Sequence, residues 1–321
     1  MLGVPGSAKR LPLIVGCLLL ALGVLIARAH SQPAPAPTQG VRALPDNVEL
    51  LPDVVFGTGG GRPLKMNLVR PKVIPEAPMP VVVWIHGGAW VSGDNNPGRN
   101  IPLAQRGYFT ASLEYRLSRE AQFPAQIEDC KAAIRYLRAN AEKYHLNPNK
   151  IGCWGSSAGG HLVALLGTSG GVKELEGPGG NPDFSSAVQC VVDLFGPTDF
   201  TQIGKFPSTM NHMGANSPEA LLIGGPIADN PDKCRAANPI TYIDKNDPPF
   251  LIFHGDKDQT VPFNQSELLY AALQKAGVES TFVPVKGGGH GWGPQTPTEP
   301  TSREVDQMTL AFFDRHLKGI K

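Results

Sequence analysis

The chain has 321 residues, 41% of them hydrophobic and 18% charged, with a formal net charge of +1, enough for one large domain or two small ones. Its 37 Gly and 31 Pro residues fall short of wholesale disorder, and its composition and single long apolar run exclude collagen-like, coiled-coil and multi-span membrane classes. Beyond residue 40, 26 basic groups face 28 acidic ones, so the body lacks the concentrated basic face that nucleic-acid binding requires.

Lys9 and Arg10 precede an apolar run from Leu11 to Ile26, which ends in Ala27-Arg28-Ala29. This charged, apolar, small-residue order reads as a secretory signal over residues 1–29, cleaved after Ala29, and so predicts export. A retained membrane anchor is the alternative, because the run approaches the ~20 residues of a spanning helix. Residues 30–46, with SQPAPAPTQG at 31–40, form a Pro/Ala-rich linker too poor in large apolar residues to pack. The folded part is expected to begin near Val41, with the catalytic domain over 47–321.

Val54 to Val69, with Gly57 to Gly61 in its middle, predicts an antiparallel hairpin. Apolar, strand-like runs follow at Val81–Ile85, Phe109–Tyr115, Ile151–Trp154, Val188–Phe195, Phe250–Phe253 and Thr281–Val285. Between them lie helical patterns, clearest at Ala125–Ala141, where Ile127, Cys130, Ile134, Leu137 and Ala141 share one face. Ser266–Lys275 and Arg303–Lys318 behave similarly. The alternation predicts an α/β fold: a mostly parallel central sheet, helices on both faces and a leading antiparallel hairpin. Residues 199–235, rich in Gly, Pro and Asn, read as a small cap-like insertion. Cys130, Cys153, Cys190 and Cys234 permit disulfides in an exported chain, but Cys153 and Cys190 lie in strand-like runs that favour buried thiols.

Sites in such sheets form at the carboxyl ends of the strands, and four motifs sit there. Gly155-Ser156-Ser157-Ala158-Gly159 falls between a strand and the helical run His161–Leu166. A sharp strand-to-helix turn aims a serine hydroxyl for attack and tolerates only small neighbours, which singles out Ser157 over Ser156. His86-Gly87-Gly88-Ala89-Trp90 follows the strand Val81–Ile85. Its Gly87 and Gly88 N–H groups, with that of Ala158, are candidate donors to an oxyanion. His86 reads as a support for that loop rather than as a base.

His254-Gly255-Asp256-Lys257-Asp258 and Gly287-Gly288-Gly289-His290-Gly291-Trp292 follow the last two strands. A histidine on a glycine-rich loop can take the serine proton while an acid fixes its tautomer. The order Ser157, Asp258, His290 suits this chemistry. Asp256 competes for the acid's role but is expected to stabilise its own turn. His161 reads as a packed residue, and His145, His212 and His316 as lacking a supporting partner. No metal spacing, phosphate loop or dinucleotide fingerprint occurs, so no cofactor or metal is implied.

Taken together, the chain resembles the α/β-hydrolases of the esterase/lipase superfamily, and more narrowly the bifunctional feruloyl and acetyl-xylan esterase-like group. The resemblance runs from about residue 47 to the end. It is carried by IHGGAWVSGD (85–94), EYRLS (114–118), FPAQIEDCKAAIRYLRANA (123–141), GSSAGGHL (155–162), FGPTD (195–199), HGDKDQTVP (254–262) and GGGHGW (287–292). It implies an α/β-hydrolase fold and ester hydrolysis through an acyl-enzyme, with Ser157, Asp258 and His290 as the triad. The implied substrates are acetyl or feruloyl esters, free or linked to plant polysaccharide, with Trp90, Trp292 and the 199–235 insertion as candidate pocket walls. A membrane is a partner only if the N-terminal segment is retained. Glu114, Arg116 and Asp129 read as structural ion-pair partners. Ala89 and Ser156 stand where the hormone-sensitive-lipase pattern has a third glycine and an aspartate, which argues against that sister group. A prolyl-oligopeptidase-like peptidase shares the sheet and triad but carries a propeller domain. A binding protein on a hydrolase scaffold is the remaining alternative.

Overall fold

Alternation along Val81-Val82-Val83-Trp84-Ile85 shows how the sheet is buried. Val81, Val83 and Ile85 join the core on one face, and Val82 and Trp84 that on the other. Such a strand must be covered on both sides. The computed structural model describes residues 44–292 and 297–320. The signal segment 1–29 and nearly all of the linker 30–46 lie outside the described residues.

The strands are β1 (Val48–Gly59), β2 (Arg62–Pro71), β3 (Met79–Ile85), β4 (Phe109–Leu113), β5 (Leu146–Ser156), β6 (Cys190–Leu194), β7 (Phe250–Gly255) and β8 (Ser280–Val285). They form one sheet in the order β1-β2-β4-β3-β5-β6-β7-β8. β1 pairs antiparallel with β2, and β2 with β4, whereas all pairs from β4 to β8 are parallel. The predicted hairpin is therefore present but longer at both ends than Val54–Val69. It turns on Gly60 and Gly61, both at positive φ.

The helices are α1 (Ile101–Ala104), α2 (Ala125–Ala139), α3 (Ala141–Tyr144), α4 (Ala158–Thr168), α5 (Phe200–Ile203), α6 (Pro218–Ile223), α7 (Pro231–Ala237), α8 (Asn264–Ala276) and α9 (Ser302–Phe313). Ile127, Ile134 and Leu137 of α2, Leu162 and Leu165 of α4, and Leu269 and Leu273 of α8 fill the core on one face of the sheet. Leu103 of α1 and Val305 and Phe313 of α9 fill the other. The predicted helix 303–318 ends its α-helical part at Phe313, where the chain widens into a π-turn over Asp314–Lys318. The 199–235 insertion contains α5, α6 and most of α7.

Cys130, Cys153, Cys190 and Cys234 are buried free thiols. Arg116 holds Asp129 through paired guanidinium contacts at 2.7 to 3.0 Å and Glu128 at 3.2 Å. Glu114 accepts the Lys65 N–H and pairs with Arg62. Among the described residues no helix is long and apolar enough to cross a membrane.

Candidate active site

β5 runs straight into α4, and the single residue between them, Ser157, takes φ 55° and ψ −122°. This conformation is strained for a residue with a β-carbon and is tolerated where the surroundings over-determine it. The surroundings do so here. The Ser157 N–H donates to Leu194 O at 2.9 Å, and a β-carbon at Gly159 would collide with the Ile85 carbonyl. The close approach of β3 to α4 therefore requires glycine, and the turn thrusts the Ser157 hydroxyl outward.

The ends of β7 and β8 bring the partners. Ser157 Oγ lies 3.1 Å from His290 Nε2, and His290 Nδ1 lies 2.7 Å from Asp258 Oδ2. Asp258 is buried, and its other oxygen accepts the N–H groups of Thr260 and Val261 at 2.8 and 3.0 Å. Burial acts to raise the Asp258 pKa, but hydrogen bonds from His254 and His290 outweigh it and hold the group well below the usual carboxylate range. Asp256 faces a different partner, accepting the Gly287 N–H at 2.7 Å. It thus ties the two loops together rather than orienting the imidazole.

Gly88, Ala89 and Trp90 follow β3 with φ of 104°, 54° and 58°. Three successive left-handed residues coil the loop over the elbow. Gly87, Gly88 and Ala158 all line the same cleft as Ser157 and His290, whose volume is about 530 Å³. Among the described residues neither the Gly87 nor the Gly88 N–H has a protein acceptor. His86 supports this loop from behind: its ring stacks on Tyr115 at 4.3 Å and its Nδ1 lies 2.7 Å from Gly87 O. Burial lowers its pKa. Tyr115 closes the circuit by donating to His86 O at 3.1 Å.

The two tryptophans part company. Trp90 lines the cleft while remaining 1% exposed, wedged edge-on against His161 and Phe200. Trp292 packs edge-on against Phe195 at 5.1 Å, and it is Phe195, not Trp292, that lines the cleft. Phe195 also meets the His290 ring at 4.7 Å. Sequence reasoning passed it over as the last residue of a strand. Its φ of 47° turns it out of β6, and no residue-type signal announces that.

His161 Nε2 donates to Ala237 O at 2.7 Å within the core, and burial pushes its pKa down to about 4. The expectation that His145 and His212 lack partners is corrected. His145 Nε2 lies 3.0 Å from Glu76 O. His212 Nδ1 lies 2.8 Å from Glu219 Oε1 and its Nε2 2.8 Å from Thr260 O. The reason is tertiary: α6 folds back so that Glu219, seven residues on, covers the ring. His254, read only as the start of a motif, is buried with Nε2 3.3 Å from Asp258 Oδ2. Among the described residues no three His, Cys, Asp or Glu side chains are grouped to hold a metal.

Chemically, the arrangement places a hydroxyl beside an imidazole whose far nitrogen is fixed by a buried carboxylate, with free backbone N–H groups across the cleft. That suits nucleophilic attack on a carbonyl.

Residues 66–273 match the BD-FAE family. The chain is 34% identical over 232 residues to Esterase LipQ of Mycobacterium tuberculosis, covering 70% of this chain and 53% of that protein. It spans about half the length of the curated relatives it matches. Among solved structures, it is 34% identical to a truncated form of a carbohydrate esterase from gut microbiota, with a TM-score of 0.73 over 84% of this chain and 96% of the other. It is 41% identical to a bifunctional GH43-CE protein of Bacteroides eggerthii, with a TM-score of 0.72 over 83% of this chain and 38% of that one. With its parallel sheet, antiparallel leading pair and strand-end elbow, the chain has the α/β-hydrolase fold and belongs to the BD-FAE family.

Proposed function

We propose that this protein is an exported serine carboxylic-ester hydrolase that works through an acyl-enzyme. The observation that carries the reading is the unbroken hydrogen-bonded chain from Ser157 Oγ through His290 to Asp258, assembled on the ends of β5, β7 and β8. Ser157 attacks the ester carbonyl as His290 Nε2 takes its proton, and the Gly87, Gly88 and Ala158 N–H groups stabilise the resulting oxyanion. The imidazolium then returns the proton to the leaving alcohol, and water repeats the sequence on the acyl-enzyme. Asp258, held ionised, orients the ring and stabilises its charge.

Short acyl esters, acetyl above all, and feruloyl esters such as those on plant polysaccharide are the proposed substrates. Similarity to a carbohydrate esterase and to the GH43-CE protein supports this class. Trp90 and Phe195 give the cleft aromatic walls suited to an acyl group. The charged, apolar, small-residue order at residues 9–29 supports export.

A fluorophosphonate probe is expected to label the wild type and not Ser157→Ala. The substitution should lower ester turnover by about 10⁴-fold or more. An unlabelled wild type, or a labelled Ser157→Ala, overturns the assignment. A panel of acetyl, butyryl, octanoyl and feruloyl esters fixes the acyl preference, and turnover of a proline-linked p-nitroanilide alone would point to a peptidase instead.

A further inference from the structure

On the side of the sheet that α1 and α9 cover, a second cavity of about 410 Å³ lies between those two helices. Along α9, Arg303, Asp306, Gln307 and Leu310 recur at spacings of three and four, so a single face of the helix lines it, with Thr309 beside them. The chain just ahead of α1 and just beyond it supplies Arg99 and Arg106. Leu103 and the Trp154 indole form an apolar floor. Trp154 Nε1 already donates to Asn100 Oδ1 at 3.2 Å, so this residue offers the cavity ring surface rather than a donor.

Arg99, Arg106, Arg303 and Asp306 are the charged residues of this lining, and all four are exposed and open to a ligand. Among the described residues none of the four is in an ion pair. Arg99 stands over the Trp84 ring, with Cζ 5.4 Å from its centroid, and acts against the burial that raises the Asp306 pKa. Asp306 thus offsets Arg99, and the lining holds no acid to set against Arg106 and Arg303. Guanidinium groups stay charged at any physiological pH, and a low-dielectric floor focuses their field into the cavity. The cavity therefore presents a net charge of +2 over an aromatic and aliphatic floor. A small inorganic anion would meet the charge but leave Trp154, Leu103 and Leu310 wet, and a neutral ring would do the reverse. A ring that bears a carboxylate answers both: its plane meets the indole and the guanidinium groups, and its oxygens accept from the arginine forks.

We propose that the cavity between α1 and α9 is a binding site for an aromatic carboxylate, separate from the serine cleft. Its volume is that of a small-molecule site. Arg106 and Arg303 line this cavity and not the cleft, whereas Arg99 lines both, so Arg106 and Arg303 tell the two sites apart. The site stands whether or not Ser157 hydrolyses esters. Ferulate, the acid that feruloyl-ester hydrolysis releases, is of the class it takes.

The test titrates the full chain calorimetrically with ferulate and with its uncharged amide. Ferulate is expected to bind saturably with a Kd below about 1 mM, and the amide about tenfold or more weakly, the range for a hydrogen bond to a charged group. Arg106→Gln combined with Arg303→Gln should weaken ferulate binding about tenfold or more, leave the amide within about threefold, and keep turnover of p-nitrophenyl acetate unchanged. Wild type whose Ser157 has been capped by a fluorophosphonate should bind ferulate with the same Kd. Absence of saturable binding, equal affinity for acid and amide, or indifference to the double substitution overturns the proposal. Binding that capping of Ser157 abolishes also overturns it, because ferulate then sits in the cleft. Both arginines are exposed, so the variant is expected to fold, and an unchanged thermal unfolding midpoint verifies this. A wild type that the fluorophosphonate does not label defeats the ester-hydrolase reading instead, and the comparison of arginine variants then decides this site by itself.

Discussion

The strand-end loops that carry Ser157, Asp258 and His290 and the insertion that carries Met210 and Glu219 border the same cleft but are held in place by different physics. Each strand-end loop leaves a strand paired on at least one side: β5 lies between β3 and β6, and β7 between β6 and β8. The insertion has no ladder. Its helices α5, α6 and α7 are four, six and seven residues long, well short of the length at which an isolated helix holds in water. They are kept by side-chain caps from Asp199 and Ser217 and by anchors such as Phe200, Ile203 and Leu222 driven into the core. Ser157, Asp258 and His290 are thus positioned by the sheet, and the insertion's side of the cleft by local devices that can vary without disturbing it.

If the sheet fixes the elbow, a buried defect beneath it should register in the stability of the whole molecule. Asp193 on β6 is such a feature. It is fully buried, its Oδ1 accepts the Gly196 N–H at 2.9 Å, and its Oδ2 has no partner among the described residues. Burial pushes its pKa from 3.8 up to about 7. Because the folded pKa is raised, the folded state keeps a proton that the unfolded chain loses. The associated stability is therefore full below about pH 4 and is lost as pH rises through 7, to the extent of about 4 kcal/mol. His161 works the other way: its pKa is depressed from 6.5 to about 4, so its contribution of about 3 kcal/mol is present above 6.5 and lost as pH falls toward 4. Asp193→Asn keeps the shape and removes the first slope. Urea unfolding should show the variant gaining about 4 kcal/mol on the wild type between pH 4 and pH 8. A difference that stays constant with pH would mean that Asp193 does not carry this linkage.

A smaller effect is expected at His254, which shares Asp258 with the His290 imidazole. Its Nε2 faces both Val261 O at 3.0 Å and Asp258 Oδ2 at 3.3 Å, while its Nδ1 lies 2.7 Å from Ser266 Oγ. His254 is thus a positioning residue acting through Asp258. His254→Gln should lower kcat on an acetyl ester roughly 10- to 100-fold with KM little changed, the range for a hydrogen bond to a charged group. An unchanged kcat, or a rise in KM that accounts for the whole loss in kcat/KM, would reduce His254 to packing.

The same division explains what could be read from the sequence. Strand periodicity, glycine placement and the order of serine, acid and histidine are local signals, and they located β3 to β8, the elbow and the Ser157, Asp258 and His290 loops to within a few residues. Strand ends drifted where pairing extends a strand past its apolar run, as in β5, which begins at Leu146 rather than Ile151. The insertion gave little: Glu219 sits on a six-residue helix, and its partnership with His212 exists only because that helix folds back. Phe195 was hidden for the same reason, as a strand residue whose role depends on a turn of φ that composition does not encode.

The least effect, and the sharpest division between the two regions, is expected at Ser217. Its side chain caps α6, with Oγ accepting the Ala220 N–H at 3.1 Å. Ser217→Ala should cost about 1 kcal/mol. In a six-residue helix one cap is a large share of what holds the first turn, so the loss should appear as local opening. Amide exchange at Leu221, Leu222 and Ile223 is then expected to quicken about fivefold, with β5, β6 and β7 unaffected. Equal quickening in the strands would show that insertion and sheet open as one cooperative unit, and that the wall carrying Glu219 is as firmly fixed as the elbow.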